Sequence, residues 1–342
     1  MKKLSIVFSA ILFTICTTLS ADCLEPLEVE NGFLGTWTFD VEGGGIGWLK
    51  VHNEEGFLDA ELLWIGGSVL PVSHIYEVDE NNIVVTRTQD VTKKKNDNGD
   101  NRVHTITYTL RITRMGDEIT GTMVAPNWDG NGENKQSIMG KRLAPVGSAP
   151  NLNEVKYGKE IQLFNGKDLT GWRIINPEKK NGFKVKDGQL INDPVQPEDG
   201  HHVSYGNLRT EQEFEDFNLK LEVNVPEGNN SGVYLRGLYE IQVVDSYGKD
   251  LDPHNMGAVY SRITPSEAAE KPAGEWQSLD ITLCKRHISV IFNGKKIIDN
   301  QPVEGPTGGA ISSDVFAPGP IYLQGDHGNV AYRNIILTPI LN

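Results

Sequence analysis

Two segments decide the fold of the C-terminal half of the chain: SGVYLR at residues 231–236 and YEIQVVD at residues 239–245. Polar and apolar residues alternate in both, and successive side chains of a strand point to opposite faces. Only Gly237 and Leu238 separate the segments, so the pattern predicts an antiparallel hairpin. One face of this hairpin would be apolar and would contribute to a core, while the other would be polar.

The polar face is the first candidate for a functional surface. It would carry Tyr234, Arg236, Glu240 and Gln242. If the strands pair across the short turn, Arg236 and Glu240 lie nearly opposite each other. A ring, a guanidinium, a carboxylate and an amide suit a sugar site, because rings stack on sugars and forked polar groups hold hydroxyls. The alternative is an exposed outer face whose ion pair contributes less than about 1 kcal/mol.

Strand patterns also fill the rest of the chain. Alternating segments occur from Gly32 to Leu143 and again after residue 156, and 36 glycines and 17 prolines supply turns. Asn293-Gly294 is a strong hairpin signal, and only residues 265–269 look helical. We therefore predict an all-β protein whose C-terminal half is a sandwich of antiparallel sheets. The N-terminal half would be a small antiparallel barrel or sandwich, and its opening Gly-x-Trp resembles the first strand of lipocalin-like barrels.

Composition shifts divide the chain into four predicted parts. These are a signal peptide at 1–21, a β domain at 30–144, a Pro- and Ala-containing linker at 145–155 and a second β domain at 156–342. A basic start, an apolar run and small residues before Asp22 are typical of secretory signals, which indicates a secreted or periplasmic protein. Lipid attachment at Cys23 is disfavoured because Asp22 precedes it directly. Cys284 follows an apolar strand and is expected to be a buried thiol.

The charge balance argues against several functions. The formal net charge is −14, from 46 acidic and 32 basic residues, so we expect no nucleic-acid partner. No segment after the N-terminus has about 18 unbroken apolar residues, so we expect no membrane span there. The chain also lacks a phosphate loop, a dinucleotide fingerprint, a Gly-x-Ser-x-Gly elbow and a His-Glu-x-x-His motif.

Six motifs in order resemble the 3-keto-disaccharide hydrolase family. They are LFNGKDLTGW (163–172), NSGVYLR (230–236), YEIQVVDS (239–246), KPAGEW (271–276), FNGK (292–295) and LQGDHG (323–328). The resemblance covers about residues 161–340, more than half of the chain. It departs from the family pattern at Gly325, which is inserted before Asp326 and His327. The N-terminal domain lies outside it.

The resemblance implies a concanavalin-like jelly-roll sandwich and a glycoside hydrolase that acts on sugars already oxidised at C3. A C3 ketone acidifies the C2 proton, so a base can remove it; the enolate then expels the C1 substituent, and water addition completes a net hydrolysis. Such an enzyme needs a base, an acid for the leaving oxygen and positive charge or a metal near the enolate oxygen. A separate enzyme would oxidise the sugar beforehand.

We assign these roles to residues of the matching motifs. Glu240 is the candidate base or metal ligand, Arg236 the electrostatic stabiliser, and His327 an acid, a base or a ligand. The candidate substrate-binding residues are Tyr234, Gln242, Trp276, Gln324 and His254. We assign no cofactor from the sequence, and participation of a divalent cation stays an open alternative. The alternative function is a two-domain carbohydrate-binding protein without turnover, because jelly rolls often only bind.

Overall fold

The computed structural model describes residues 31–93, 102–198 and 203–341, and these residues form strands, turns and loops without a helix. The predicted signal peptide at 1–21 and the lipid-attachment candidate Cys23 lie outside the described residues. The strands are β1 Gly35–Val41, β2 Ile46–Glu54, β3 Phe57–Ile65, β4 Leu70–Pro71, β5 His74–Asp79, β6 Asn82–Lys93, β7 Arg102–Met115, β8 Glu118–Pro126, β9 Glu133–Arg142, β10 Lys156–Tyr157, β11 Ile161–Gln162, β12 Trp172–Ile174, β13 Phe183–Lys186, β14 Gln189–Asn192, β15 Leu208–Thr210, β16 Phe217–Asn224, β17 Asn230–Leu235, β18 Tyr239–Val244, β19 Trp276–Cys284, β20 His287–Phe292, β21 Lys295–Pro302, β22 Tyr322–Leu323 and β23 Val330–Leu341.

The first nine strands form one antiparallel sheet, called here the N-terminal sheet. Its order is β4-β3-β2-β1-β9-β8-β7-β6-β5, so consecutive strands β4 and β5 lie at opposite edges. Only Val72 and Ser73 connect these edges, and so short a connection spans roughly 11 Å. Val72 N donates to Ala60 O (3.0 Å) on β3, and Ser73 N donates to Thr86 O (2.8 Å) on β6. The sheet must therefore curl until its two edges meet, around a core that includes Trp37.

The remaining strands form a sandwich of two antiparallel sheets, called here the C-terminal sandwich. One sheet runs β13-β14-β23-β16-β19-β20-β21, with β10 and β11 paired to β23, and the other runs β12-β15-β22-β17-β18. The hairpin expected at Asn293-Gly294 joins β20 to β21, with both residues at positive φ (47° and 82°). The all-β class with a C-terminal jelly-roll-type sandwich is confirmed. Residues 265–269 form bends and loops, so the expected short helix there was wrong.

Side chains from the N-terminal sheet complete the core of the C-terminal sandwich. Trp48, Leu63 and Leu143 belong to the same buried cluster as the sandwich interior. The Arg262 guanidinium lies 4.1 Å from the centre of the Trp48 ring, and a Cβ on Gly305 would stand 1.8 Å from the Trp48 indole nitrogen. Gly32–Asn342 accordingly forms one compact unit. The boundary placed at residues 145–155 stays a prediction.

The one cysteine that the structure describes is a core residue. Cys284 is 1% exposed and unpaired, as expected from its strand, and burial raises the pKa of its thiol to about 11. Among the described residues no helix is long and apolar enough to cross a membrane.

Replacing Trp48 tests whether the two parts share one core. Trp48→Ala should lower the free energy of unfolding by roughly 3–5 kcal/mol, because it empties a large buried site. Trp128→Ala is the matched control: Trp128 also belongs to the N-terminal sheet region but is 62% exposed, so its replacement should cost under about 0.5 kcal/mol. Urea denaturation followed by circular dichroism measures both. Equal effects of the two replacements would contradict the shared core.

Candidate functional site

The hairpin of β17 and β18 forms as predicted, but its register differs from the expected one. Leu235 pairs with Tyr239 and Tyr234 pairs with Glu240. The turn contains three residues, because Arg236 leaves the ladder at a φ of 56° and Gly237 follows at 66°. The expectation that Arg236 faces Glu240 was therefore wrong, and Tyr234 takes that place.

Both faces of this hairpin are buried. The apolar face, with Val233, Leu235 and Ile241, belongs to the sandwich core as predicted. On the polar face, Tyr234 and Glu240 are only 1% and 4% exposed. The alternative of a solvent-exposed outer face is therefore wrong. A buried polar face needs partners for each polar group, because an unsatisfied group in the interior costs free energy.

The Tyr234 hydroxyl has two acceptors. It donates to Glu240 Oε2 at 2.7 Å and also lies 2.7 Å from the carbonyl oxygen of Gly308. A phenol has one proton, which an ionised Glu240 and Gly308 O would have to share, whereas a protonated Glu240 would supply a second hydrogen to this pair of contacts. The arrangement therefore accommodates a neutral carboxyl group.

Burial acts in the same direction. It raises the pKa of Glu240 to about 8, against the opposing effect of the Tyr234 hydrogen bond on the carboxylate. The pKa of Tyr234 is raised well above its ordinary value. Burial is the largest cause, and the charge of Glu240 is the second. Near neutral pH the site therefore holds a protonated carboxyl group and a neutral phenol. The Tyr234 ring stacks on Tyr322 with 3.8 Å between ring centres.

Two glycines leave room for this pair. A Cβ on Gly232, which lies beside Glu240 on the neighbouring strand, would stand 2.3 Å from Glu240 Oε1. A Cβ on Gly309 would stand 2.6 Å from Tyr234 Oη, and Gly309 also has a φ of 83°. Any larger residue at these positions would displace the carboxyl group or the phenol.

Glu240 lies in a cavity of about 300 Å³ on this polar face. The structure brings five of the predicted residues together there: Tyr234, Glu240, Gln242, Gln324 and His327. Such a cavity, small and with a few convergent polar groups, is a typical ligand site.

His327 lies at the open rim of this cavity in spite of the inserted Gly325. The loop is held by Asp326, which accepts hydrogen bonds from Tyr205 N (2.7 Å) and Ser204 Oγ (3.1 Å). Gly325 fits because a Cβ there would stand 2.1 Å from the carbonyl oxygen of Gly206. Partial burial lowers the pKa of His327, and the charge of Asp326 opposes this effect.

Two of the remaining predicted site residues, Arg236 and Trp276, lie away from the cavity. The buried Arg236 guanidinium donates to the carbonyl oxygen of Ala317. Trp276 begins β19 in the other sheet, where the Arg333 guanidinium lies 3.9 Å from the centre of its ring. Neither residue lines the cavity.

His254 lies beside the cavity rather than in it. Its Nε2 is 2.9 Å from Ser68 Oγ, and its ring meets the edge of the Tyr260 ring at 5.1 Å. Tyr260 does line the cavity, so His254 supports a residue of the wall.

Sequence reasoning missed four further parts of the lining. Asn230 and Tyr260 contribute side chains, and Gly66-Gly67 and Gly308-Gly309 contribute backbone. Strand alternation could have found Asn230, since it precedes Gly232 and Tyr234 on the same face. No local signal points to Gly66-Gly67, which come from the N-terminal sheet.

The structure gives no support to a metal centre of carboxylates, histidines and cysteines. In residues 31–93, 102–198 and 203–341 no group of three or more such side chains could hold an ion.

A family model for the 3-keto-alpha-glucoside-1,2-lyase-like domain matches residues 159–338, which is more than half of the chain. The chain belongs to this family. The resemblance inferred from the six motifs is thereby confirmed for the C-terminal sandwich. The N-terminal sheet lies outside the matched residues.

Individual relatives are more distant. A 3-keto-disaccharide hydrolase of Bacteroides thetaiotaomicron is 23% identical over 167 residues, which cover 41% of this chain and 57% of the relative. The chain thus spans little more than half of that protein. Among solved structures, a Parabacteroides distasonis protein described as a glycosyl hydrolase is 26% identical, with a TM-score of 0.43 and coverage of 57% of this chain and 93% of that one. The carbohydrate binding module CBM66 of Bacillus subtilis is 14% identical, with a TM-score of 0.30 and coverage of 48% and 93%.

The protonation of Glu240 should make stability depend on pH. The pKa of Glu240 is about 8 in the folded protein against 4.5 for an ordinary glutamate, so the folded state keeps a proton that the unfolded chain loses. This stabilisation is complete below about pH 4.5 and is lost as pH rises through 8. Glu240→Gln cannot ionise and keeps an oxygen for Tyr234. Its melting temperature relative to wild type should rise by about 3 °C or more between pH 5 and pH 8.5.

Thermal unfolding at the two pH values measures this difference. Glu178→Gln, at an exposed glutamate, is the control and should leave the difference unchanged. A constant gap between Glu240→Gln and wild type would show that Glu240 is ionised in the folded protein.

Proposed function

We propose that this protein is a carbohydrate-active enzyme that cleaves 3-keto-glycosides by elimination followed by hydration. The observation that carries the proposal is the buried Glu240, whose pKa burial raises to about 8, in a small polar cavity that also holds His327. Membership of the 3-keto-alpha-glucoside-1,2-lyase-like family supports the substrate class. The carboxyl group is an acid near neutral pH and the imidazole is a base, which are the two groups that the reaction needs.

The elimination step uses His327 and Glu240 in turn. His327 takes the proton from C2, which the C3 ketone acidifies, and the electron pair forms an enolate. The enolate reforms the ketone as the C1–O bond breaks, leaving a C1=C2 double bond. Glu240 gives its proton to the departing oxygen, so an alcohol or a sugar is released. The resulting carboxylate then accepts the Tyr234 hydroxyl hydrogen, which turns away from Gly308 O.

The hydration step returns both groups to their starting state. Water adds its oxygen to C1, Glu240 takes a proton from that water, and C2 receives the proton held by His327. The net change is hydrolysis, and no oxidant is consumed. Gln242, Gln324 and Asn230 provide amide groups that hydrogen-bond sugar hydroxyls.

We further propose that the protein is secreted and acts after another enzyme. The basic and apolar start of the chain supports export. The substrate carries a ketone at C3, and the proposed reaction neither makes nor consumes one. An oxidation of the sugar must therefore come first, catalysed by a different protein.

Substrate comparison tests the reaction class. Purified protein is incubated with methyl 3-keto-glucoside, a 3-keto-disaccharide and their unoxidised parents, with and without chelator. We expect release of the C1 substituent from the ketones alone, and kcat should fall about 100-fold or more in Glu240→Gln with KM within about threefold. Glu178→Gln should behave as wild type. Binding of these sugars without release would instead indicate a carbohydrate-binding protein.

The pH profile tests the roles of the two groups. Activity requires neutral His327, whose pKa is lowered from 6.5, and protonated Glu240, whose pKa is about 8. The profile of kcat/KM should therefore be a bell whose acid limb lies below pH 6.5 and whose alkaline limb lies near pH 8. His327→Gln should lose the acid limb, measured on its residual activity. An alkaline limb below pH 6 would contradict the role of Glu240 as acid.

A further inference from the structure

Part of the cavity wall comes from the N-terminal sheet. Gly66 and Gly67 follow the last residue of β3 and line the same cavity as Glu240. Both are exposed, and a Cβ built on either would meet no atom within 4 Å. The space in front of these two glycines is therefore open. We call this stretch the Gly66-Gly67 segment.

A backbone hydrogen bond holds Ile65, the residue directly before the segment, against the sandwich. Gly309 N donates to Ile65 O at 3.2 Å. Gly308 packs so closely that a Cβ on it would stand 2.2 Å from Gly67 O. Gly308 is also the residue whose carbonyl oxygen accepts the Tyr234 hydroxyl. The segment thus packs on the loop that completes the Glu240 site.

Two side-chain contacts hold Ser68 and Val69, the residues that directly follow the segment. Val69 N donates to Ser261 Oγ at 3.0 Å, and Ser68 Oγ lies 2.9 Å from His254 Nε2. Ser261 and His254 flank Tyr260, which lines the cavity. Both ends of the segment are therefore tied to loops that form the site.

The chain enters the segment in a strained conformation. Ile65 has a φ of 67°, which is a steric outlier for a β-branched residue. Such strain persists only where the surroundings enforce it, and it is concentrated at functional sites. Here it turns the chain out of β3 and towards Gly308-Gly309.

Direct contacts show which groups the segment adjoins. Gly308 O accepts the Tyr234 hydroxyl, and the same hydroxyl contacts Glu240 Oε2. Since Gly67 packs on Gly308, the segment lies at the Glu240 end of the cavity. The His327 loop is held at the start of β17, where Gly328 N donates to Asn230 O at 3.0 Å.

We infer that the Gly66-Gly67 segment is the wall of the subsite that holds the released group, and that it limits the size of that group. The inference rests on the proposed function, in which Glu240 protonates the departing oxygen. The released group then lies at the Glu240 end, in the open space before the two glycines. A small released group occupies this space without passing the segment, whereas a larger one must extend over its backbone.

A side chain at Gly66 tests this wall, because the φ of Gly66 is compatible with other residues. In Gly66→Leu we expect kcat/KM for a 3-keto-disaccharide to fall at least tenfold, while that for methyl 3-keto-glucoside stays within about twofold. Gly147→Leu is the matched control, since Gly147 is also exposed with no atom within 4 Å of a built Cβ. It should match wild type on both substrates, and equal melting temperatures establish that each variant is folded.

Calorimetric binding of the same two sugars and of the unoxidised disaccharide separates this inference from the proposed function. One outcome is that wild type binds the disaccharides without cleaving them and that Gly66→Leu binds them at least tenfold more weakly. This outcome supports the wall and contradicts the hydrolase. Cleavage by wild type with no loss in Gly66→Leu, or an equal loss on both substrates, overturns the wall and leaves the hydrolase in place. Absence of binding to every sugar overturns both.

Discussion

A carboxyl group in a protein interior must keep its proton or find a compensating charge, and the site is built around the first solution. Glu240 is 4% exposed, and its carboxyl group contacts the neutral phenol of Tyr234. The Tyr234 hydroxyl is the donor to both Glu240 Oε2 and Gly308 O, so a protonated Glu240 would supply the second hydrogen to this pair of contacts. The hairpin that buries this pair therefore sets its chemistry: the same burial that raises the pKa of Glu240 makes it an acid near neutral pH.

Close packing of backbone is the second requirement of this arrangement. The carboxyl group fits only because Gly232 has no side chain, and the loop over Tyr234 fits only because Gly309 has none. Gly308 in turn allows the N-terminal sheet to approach. The sheet also inserts Trp48 into the sandwich core. The same interface thus stabilises the fold and completes the wall of the cavity, which gives the N-terminal sheet a structural role and a proposed role in specificity.

Much of the fold and part of the site could be predicted from local patterns. Strand alternation has a period of two, so it identifies the strands and the residues that share a face. It placed Tyr234, Glu240 and Gln242 together, and the structure confirms that they line one cavity. The ordered motifs supplied the family, and with it Gln324 and His327. Arg236 was misplaced because the register of a hairpin depends on the turn, and alternation alone cannot show that Arg236 adopts a positive φ.

The sequence by itself determined the all-β class, the faces of the central hairpin and the family, because each is recognised from short segments whose own residues are close together in the chain. Only the tertiary structure decided that the polar face is buried, that Trp276 packs under Arg333 in the other sheet, and that Gly66-Gly67 reach the site. These features join segments separated by up to about 240 residues in the chain, as between Gly67 and Gly308. Their positions depend on how whole sheets pack, and sheet packing is the sum of many weak contacts that no short pattern records.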